Sequence, residues 1–376
     1  MTAPVPAGIA SSFGFGDRLG LATPGHIAAL RSTRSRVVPF FAQQSARELH
    51  RTGRSWDAVT GAAGAAVVAE GWDSAYGADA DHCKEVADVT AAREHGYTMF
   101  TLDPSDHIGA PSVQENDVEA AVAARAGERP EDEIRTTARR WLPVVEHVAT
   151  LSAEVPAGAD LEVSIDETAE PTTPFEHAFV ASELRRRDIR ITSLAPRFPG
   201  AFEKGIDYQG SLATFVDAVR AHAHVARTYG PYKLSLHSGS DKLLLYAPLA
   251  RETDGLFHVK TAGTSYLEGL RVAGRRAPAL LREIWATAIA RFGTDRASYA
   301  TTADIDAVPA AIVEREPAAL LDDDHARRIL HVTFGSVLSD RDLAVRLRDV
   351  LTADGGRAYR AALERHFHAH LEALGV

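Results

Sequence analysis

One unit recurs along this chain and limits what it can fold into: a short apolar, often β-branched run that closes in polar or chemistry-bearing residues and is followed by a loop or helical stretch. Parallel barrel strands read this way, because each is buried on both faces and delivers its last residues to one open end. The unit is found at 36–44, weakly at 70–76, and at 97–105, 161–168, 189–198, 232–239, 256–263 and 298–304. Between these runs, residues 45–52, 174–187, 211–229 and 266–292 carry apolar side chains at three- and four-residue spacing, the mark of amphipathic helices. Strand and helix in alternation predict crossover connections and a (β/α)8 TIM-type barrel. Residues 1–376 read as one barrel domain, with a helical excursion at 109–150, broken near Gly127 and Pro130, and a helical C-terminal extension at 322–376.

Composition narrows the function. At 376 residues the length suits one barrel with additions, and 45% hydrophobic with 24% charged residues suits an ordinary folded core. The net charge of −10, with no basic run interleaved with aromatics, excludes a nucleic-acid partner. A negative protein slows an anionic substrate, so a sugar acid would need local cations at the site. Cys83 stands alone, which excludes an internal disulfide and a multi-thiolate zinc site, and reads as a small buried filler in a reducing compartment. No run reaches the ~18 apolar residues of a membrane span, and the first residues lack a basic segment ahead of an apolar one. A soluble cytoplasmic enzyme without membrane partners is expected.

Barrel chemistry sits where strands end, so the strand-end residues are the candidates. They are Asp81, His82, Asp103, Asp166, Glu167, Arg197, His237, Ser238, Ser240, His258, Lys260 and Thr261. His237 and His258 fall on neighbouring strands about 4.8 Å apart, so their imidazoles can share one cation, with His82 as third ligand. Imidazole with open positions suits Zn, Ni, Co or Mn. Asp81, Asp166 and Glu167 supply acid-base groups; Glu167 is favoured as the partner acid and Asp166 is the second choice. Adjacent residues on a strand point to opposite faces, so Asp166 and Glu167 both reach the mouth only if the strand has ended between them. Asp166, Arg197, Ser238, Ser240, Asp241 and Lys260 are the candidate substrate contacts, Arg197 being the better carboxylate clamp.

Other patterns count for less. The glycines of GFGDRLG miss dinucleotide-fold spacing by one and follow no convincing strand. His366 and His370 are four apart and read as the polar face of a terminal helix, while His222 and His224 face different ways.

The strings FGFGDRLGLATPGH (13–26), GADADH (77–82), VSIDETAEPTTPFEH (163–177), SLAPRFPGAFEKGIDY (193–208), KLSLHSGSDK (233–242) and HVKTAGTSYLE (258–268) resemble the tagaturonate/fructuronate epimerase family, which includes relatives acting on tagatose and fructose. The resemblance implies a metal-dependent epimerase that interconverts D-tagaturonate and D-fructuronate, or the related ketohexoses. Carried onto this chain, it implies Asp81 as proton acceptor, Glu167 as proton donor, and His82, His237 and His258 around a divalent metal; Asp166, Glu176 and Glu203 are rival donors. The inverted carbon lies one beyond the position next to the ketone, so simple enolisation is insufficient. Retro-aldol cleavage and re-addition or a deprotonation route would each use a Lewis acid and a positioned acid-base pair. A metal-dependent aldolase or ketose isomerase on the same barrel, and a sugar-acid binding protein without catalysis, are the alternatives.

Overall fold

The structure, a computed structural model, describes residues 3–375; Met1, Thr2 and Val376, the outer ends of the ranges read above, lie outside them. Eight parallel strands close into a barrel in sequence order: β1 (Ser12–Phe15), β2 (Val38–Ser45), β3 (Gly77–Cys83), β4 (Met99–Leu102), β5 (Asp160–Ile165), β6 (Ser193–Pro196), β7 (Lys233–Leu236) and β8 (Phe257–Thr261). Closure is made by β1 against β8, with Ser12 beside His258 and Phe15 beside Thr261. The fold is the (β/α)8 barrel that the alternation predicts.

Three strand assignments need correction. The first strand is Ser12–Phe15, hidden in the sequence by its four-residue length and by the GDRLG turn that follows at once. In that turn Asp17 accepts hydrogen bonds from the backbone of Leu19, Gly20 and Ala22, a structural role for the glycine-rich segment. The 298–304 run is no strand: a short 3-10 turn (Arg296–Ser298) leads into an irregular loop. The weak run at 70–76 also lies seven residues too early, since β3 begins at Gly77. Its interior side carries Asp79 and Asp81 while Ala78 and Ala80 face the helices, so the usual apolar signal is muted.

Outside the barrel, 266–292 splits into Thr264–Arg276 and Pro278–Asp295, because Pro278 cannot donate to the preceding turn and drives Ala277 out of helical geometry. Residues 109–150 contain Glu115–Ala124 and most of Glu131–Ser152, separated where Gly127 takes φ +88. The C-terminal region supplies Asp324–Val332, Phe334–Ser339, Arg341–Thr352 and Arg357–Leu374. Helix Arg357–Leu374 packs along Thr23–Thr33, where Gly25 admits Leu363. Among the described residues no helix is long and apolar enough to cross a membrane.

The barrel interior is filled with charge as well as carbon. Lys260 reaches the axis and lies 2.8 Å from Asp79, 2.8 Å from Asp81 and 2.9 Å from Glu162, and it donates to Thr101. Beneath it, Lys233 donates to Ser12 at 2.9 Å, and Ser12 in turn meets His258 Nδ1 at 2.9 Å. Period-two alternation produces these tiers, with Glu162 one step below Ser164 and two below Asp166, and His258 one step below Lys260.

Candidate active site at the barrel mouth

A cavity of about 530 Å³ opens at the C-terminal ends of the strands, between the β2, β3, β5, β6, β7 and β8 loops and the 299–302 loop. Asp81, His82, Asp166, Glu167, Arg197, His237, Ser238, Ser240 and Lys260 all line it, from five separate stretches of chain. Asp81 points inward by ordinary strand alternation; its neighbour His82 should then point outward. It does not, because β3 shifts register between Ala80 and Cys83 and His82 takes φ +52, a left-handed conformation rare for a side chain with Cβ. That bend brings Asp81 and His82 to the same mouth.

His82 and His237 meet edge to face with ring centroids 5.0 Å apart. Each imidazole has one nitrogen fixed on a carboxylate: His82 Nδ1 lies 3.0 Å from Asp103, and His237 Nε2 lies 2.7 Å from Glu162. The other nitrogens face mouth carboxylates, with His82 Nε2 3.8 Å from Asp81 and His237 Nδ1 3.4 Å from Asp166, ion-pair distances without a good hydrogen bond. Burial opposes charge on His237, but Asp166 and Glu162 overcome it and lift its pKa to about 10. For His82 burial likewise opposes, while Asp81 and Asp103 raise it. Burial also works against ionised Asp81, yet Lys260, His82 and His237 hold its carboxyl well below the usual range. Glu162 is held down in the same way, chiefly by Lys260.

His258 does not join this group. It is fully buried two residues before Lys260, bonded to Ser12 and packed against the Phe40 ring, and it does not line the cavity. The three-imidazole cage read from the sequence is therefore not assembled: inward-facing residues on one strand stand about 6–7 Å apart along it, which leaves His258 a full tier below the mouth. Asp241 is also displaced from the cavity, its carboxylate engaged by Arg327 at 3.2 Å and His366 at 2.9 Å. His370, which donates to the His366 carbonyl and accepts from the Asp241 backbone, is buried rather than part of an exposed polar face. This cluster pins helix Arg357–Leu374 to the barrel.

Strand β5 ends at Ile165, so both Asp166 and Glu167 reach the cavity. Glu167 is the more open, its carboxylate 3.3 Å from Ser105 and 4.0 Å from Lys84. Of the rival acids, Glu176 caps its own helix and binds Arg140 and Trp141 away from the cavity. Glu203 lines the cavity but is committed to Thr301, Thr302 and Arg328. Lys260, expected as a substrate contact, is occupied by its three carboxylates, although its end lines the cavity floor. Cys83 is buried, and burial pushes its thiol up, away from reactivity.

Sequence reading missed Glu162, Asp79, Arg47 and Gln43. Glu162 and Asp166 share one face of LEVSID, with Leu161, Val163 and Ile165 on the other, so a period-two count finds Glu162. Arg47 lies beyond β2 at the mouth, and Lys204 donates to Ser238 at 2.5 Å nearby. Burial first, and then the Arg47 charge, lower the Lys204 pKa. Among the described residues, the guanidinium groups of Arg47 and Arg197 make no hydrogen bond or ion pair, although Arg47 lies 5.7 Å from the Tyr299 ring.

The chain has known relatives. The family model for tagaturonate epimerase matches residues 1–140 and 129–374. A tagaturonate/fructuronate epimerase from Thermotoga maritima is 42% identical over 398 residues, covering 99% of this chain and 82% of that protein. Crystal structures of a fructuronate-tagaturonate epimerase from Cohnella laeviribosi, native and glycerol-complexed, superpose with a TM-score of 0.89 at 35% identity, over 100% of this chain and 83% of theirs. With the closed barrel and the acid-rich mouth, these likenesses establish that the chain belongs to the tagaturonate epimerase family and is a carbohydrate epimerase.

Proposed function

We propose that this chain interconverts D-tagaturonate and D-fructuronate in the mouth cavity with the help of a divalent metal ion. The observation that carries the choice of a sugar acid over tagatose or fructose is the pair of unpartnered guanidiniums, Arg47 and Arg197, on the cavity wall of a protein of net charge −10. A neutral ketohexose offers them only single hydroxyl contacts, whereas a carboxylate meets a planar guanidinium with two parallel, charge-assisted hydrogen bonds. Arg197→Ala is accordingly expected to raise KM for the uronate about 10- to 100-fold, with a smaller effect on kcat. Steady-state kinetics on the uronates and on tagatose checks this, and equal losses on acid and neutral sugars would remove Arg197 as the clamp.

The residues fit a metal. His82 and His237 would hold it through the nitrogens that face the mouth, with Asp166 as an oxygen donor, because their second nitrogens already rest on Asp103 and Glu162, the arrangement that orients metal-binding imidazoles. Ligand atoms of His82, Asp103 and Glu167 lie within 4.8 Å of one another, whereas His82, His237 and Asp166 would have to draw closer together around the ion. Zn, Ni, Co and Mn suit this mixture of imidazole and carboxylate. When bound, the ion would polarise the ketone and acidify a neighbouring hydroxyl.

Asp81, kept ionised by Lys260, takes the proton of the hydroxyl on the inverted carbon as the carbon–carbon bond beside it breaks. The aldehyde so formed turns, the bond re-forms on its other face, and Glu167, the more open acid, protonates the new alkoxide. Ser238 and Ser240 orient the chain of hydroxyls. The deciding assay offers tagaturonate, fructuronate, tagatose and fructose to chelator-treated protein with and without added divalent ions. Uronate interconversion is expected to disappear on chelation and return with the ion. Full activity in metal-free protein would discard the ligand assignment, and cleaved fragments accumulating instead of epimer would favour an aldolase.

A further inference from the structure

Two neutral polar side chains on the cavity wall carry hydrogen-bonding atoms with nothing to bond. Gln43, on β2, is 2% exposed; its amide donates to the Thr261 carbonyl at 3.0 Å, and its Oε1 has no partner. His331, on helix Asp324–Val332, is 1% exposed, and neither ring nitrogen has a partner among the described residues. Burial first, and then the charge of Arg18 and Lys204, keep His331 far below the ordinary histidine range. It is thus a neutral ring with one N–H to donate and one lone pair to offer. Native interiors rarely leave such groups unsatisfied, and those that do occur call for a ligand or another specific cause.

The backbone is shaped around both. A Cβ at Gly14 would lie 1.5 Å from Gln43 Oε1, and one at Gly263 would lie 1.9 Å from His331 Nε2. Neither glycine has positive φ, so the small residue serves space and not backbone conformation. The ends of β1 and β8 therefore hold open room for a carboxamide oxygen and an imidazole that bond nothing among the described residues. Helix Asp324–Val332 is itself tied over the mouth, since Arg328 joins Glu203 at 2.9 Å and Thr302 at 2.7 Å.

We propose that Gln43 and His331 form a hydroxyl-recognition subsite for the polyhydroxylated sugar acid, and that the C-terminal helical region is thereby part of the active site. The proposal rests on the sugar-acid reading above. Guanidiniums suit the carboxylate and the imidazole-carboxylate cluster suits the reacting end; a hydroxyl, which both donates and accepts, matches a neutral imidazole and an amide oxygen.

The test is kcat/KM for the uronate and its set of monodeoxy analogues, in the parent enzyme and in His331→Phe, Gln43→Met and Gly263→Ala. The parent is expected to lose about 10- to 100-fold on one deoxy analogue relative to the others. His331→Phe loses a similar factor on the full substrate but treats that analogue as the parent does, because both halves of the pair are then gone. Gly263 sits at φ −98, ψ −13, where alanine is unstrained, so Gly263→Ala pushes the ring aside and reproduces the pattern with His331 still present. Equal losses on every analogue in the position 331 and 263 variants would overturn the proposal. A parent that turns over no uronate would overturn the substrate reading, and this subsite with it.

Discussion

Lys260→Met is expected to destabilise the folded protein by about 3–5 kcal/mol at neutral pH, the usual cost of leaving buried charge without its partner. Three carboxylates, Asp79, Asp81 and Glu162, converge on this one ammonium in a buried tier. Even with the lysine present, burial pushes Asp79 up to about 6, so the tier already holds more negative charge than it neutralises. Without it, Asp79 loses the cation that opposes its burial and is driven further above its unfolded value of about 4, while Asp81 and Glu162 keep only neighbouring histidines to hold them down. A group whose folded pKa is raised contributes stability below its unfolded pKa and loses that contribution as pH rises through the folded value. The deficit of the variant should therefore be small near about pH 4 and grow toward neutrality. Urea unfolding of variant and parent at acidic and neutral pH measures it, and a variant as stable as the parent at neutral pH would show that the tier is screened by water.

Asp81→Asn is expected to lower kcat by about 10²- to 10⁴-fold with a far smaller change in KM, the range associated with loss of a positioned acid-base group. The substitution keeps shape and removes one of the three charges on Lys260, so folding should survive; thermal unfolding serves as the control. Glu167→Gln should fall in the same range if it returns the proton. Should both variants turn over normally, Asp166, 3.4 Å from His237, becomes the acid-base group.

What could be read in the sequence follows from how each strand spends its two faces. The strands β5, β7 and β8 put large apolar side chains toward the helices and polar residues toward the axis, and runs such as LEVSI and FHVKT declare themselves. By contrast, β3 has only alanines and Cys83 to offer the helices, and β1 is too short to show a period. The 298–304 run imitates a strand with its threonines and closing aspartate, yet its place is on the cavity wall through Tyr299, Thr301 and Thr302. His82 and His237 were legible as strand-end residues. The depth of His258 was not, because the tier a residue occupies depends on the register between strands, which one strand's sequence does not carry. Nor could the sequence announce Gln43 and His331, whose significance is an absence of partners that exists only after folding.

The seam between β1 and β8 joins residues 12–15 to residues 257–261, and helix Arg357–Leu374 lies across the first helix of the barrel. During synthesis β1 must wait with one open side until nearly two-thirds of the chain has followed, and contacts this remote in sequence form slowly. Four residues give that waiting edge few free amides with which to capture a wrong partner. The brevity that hid β1 from a sequence reader thus also shelters the nascent chain from misassembly.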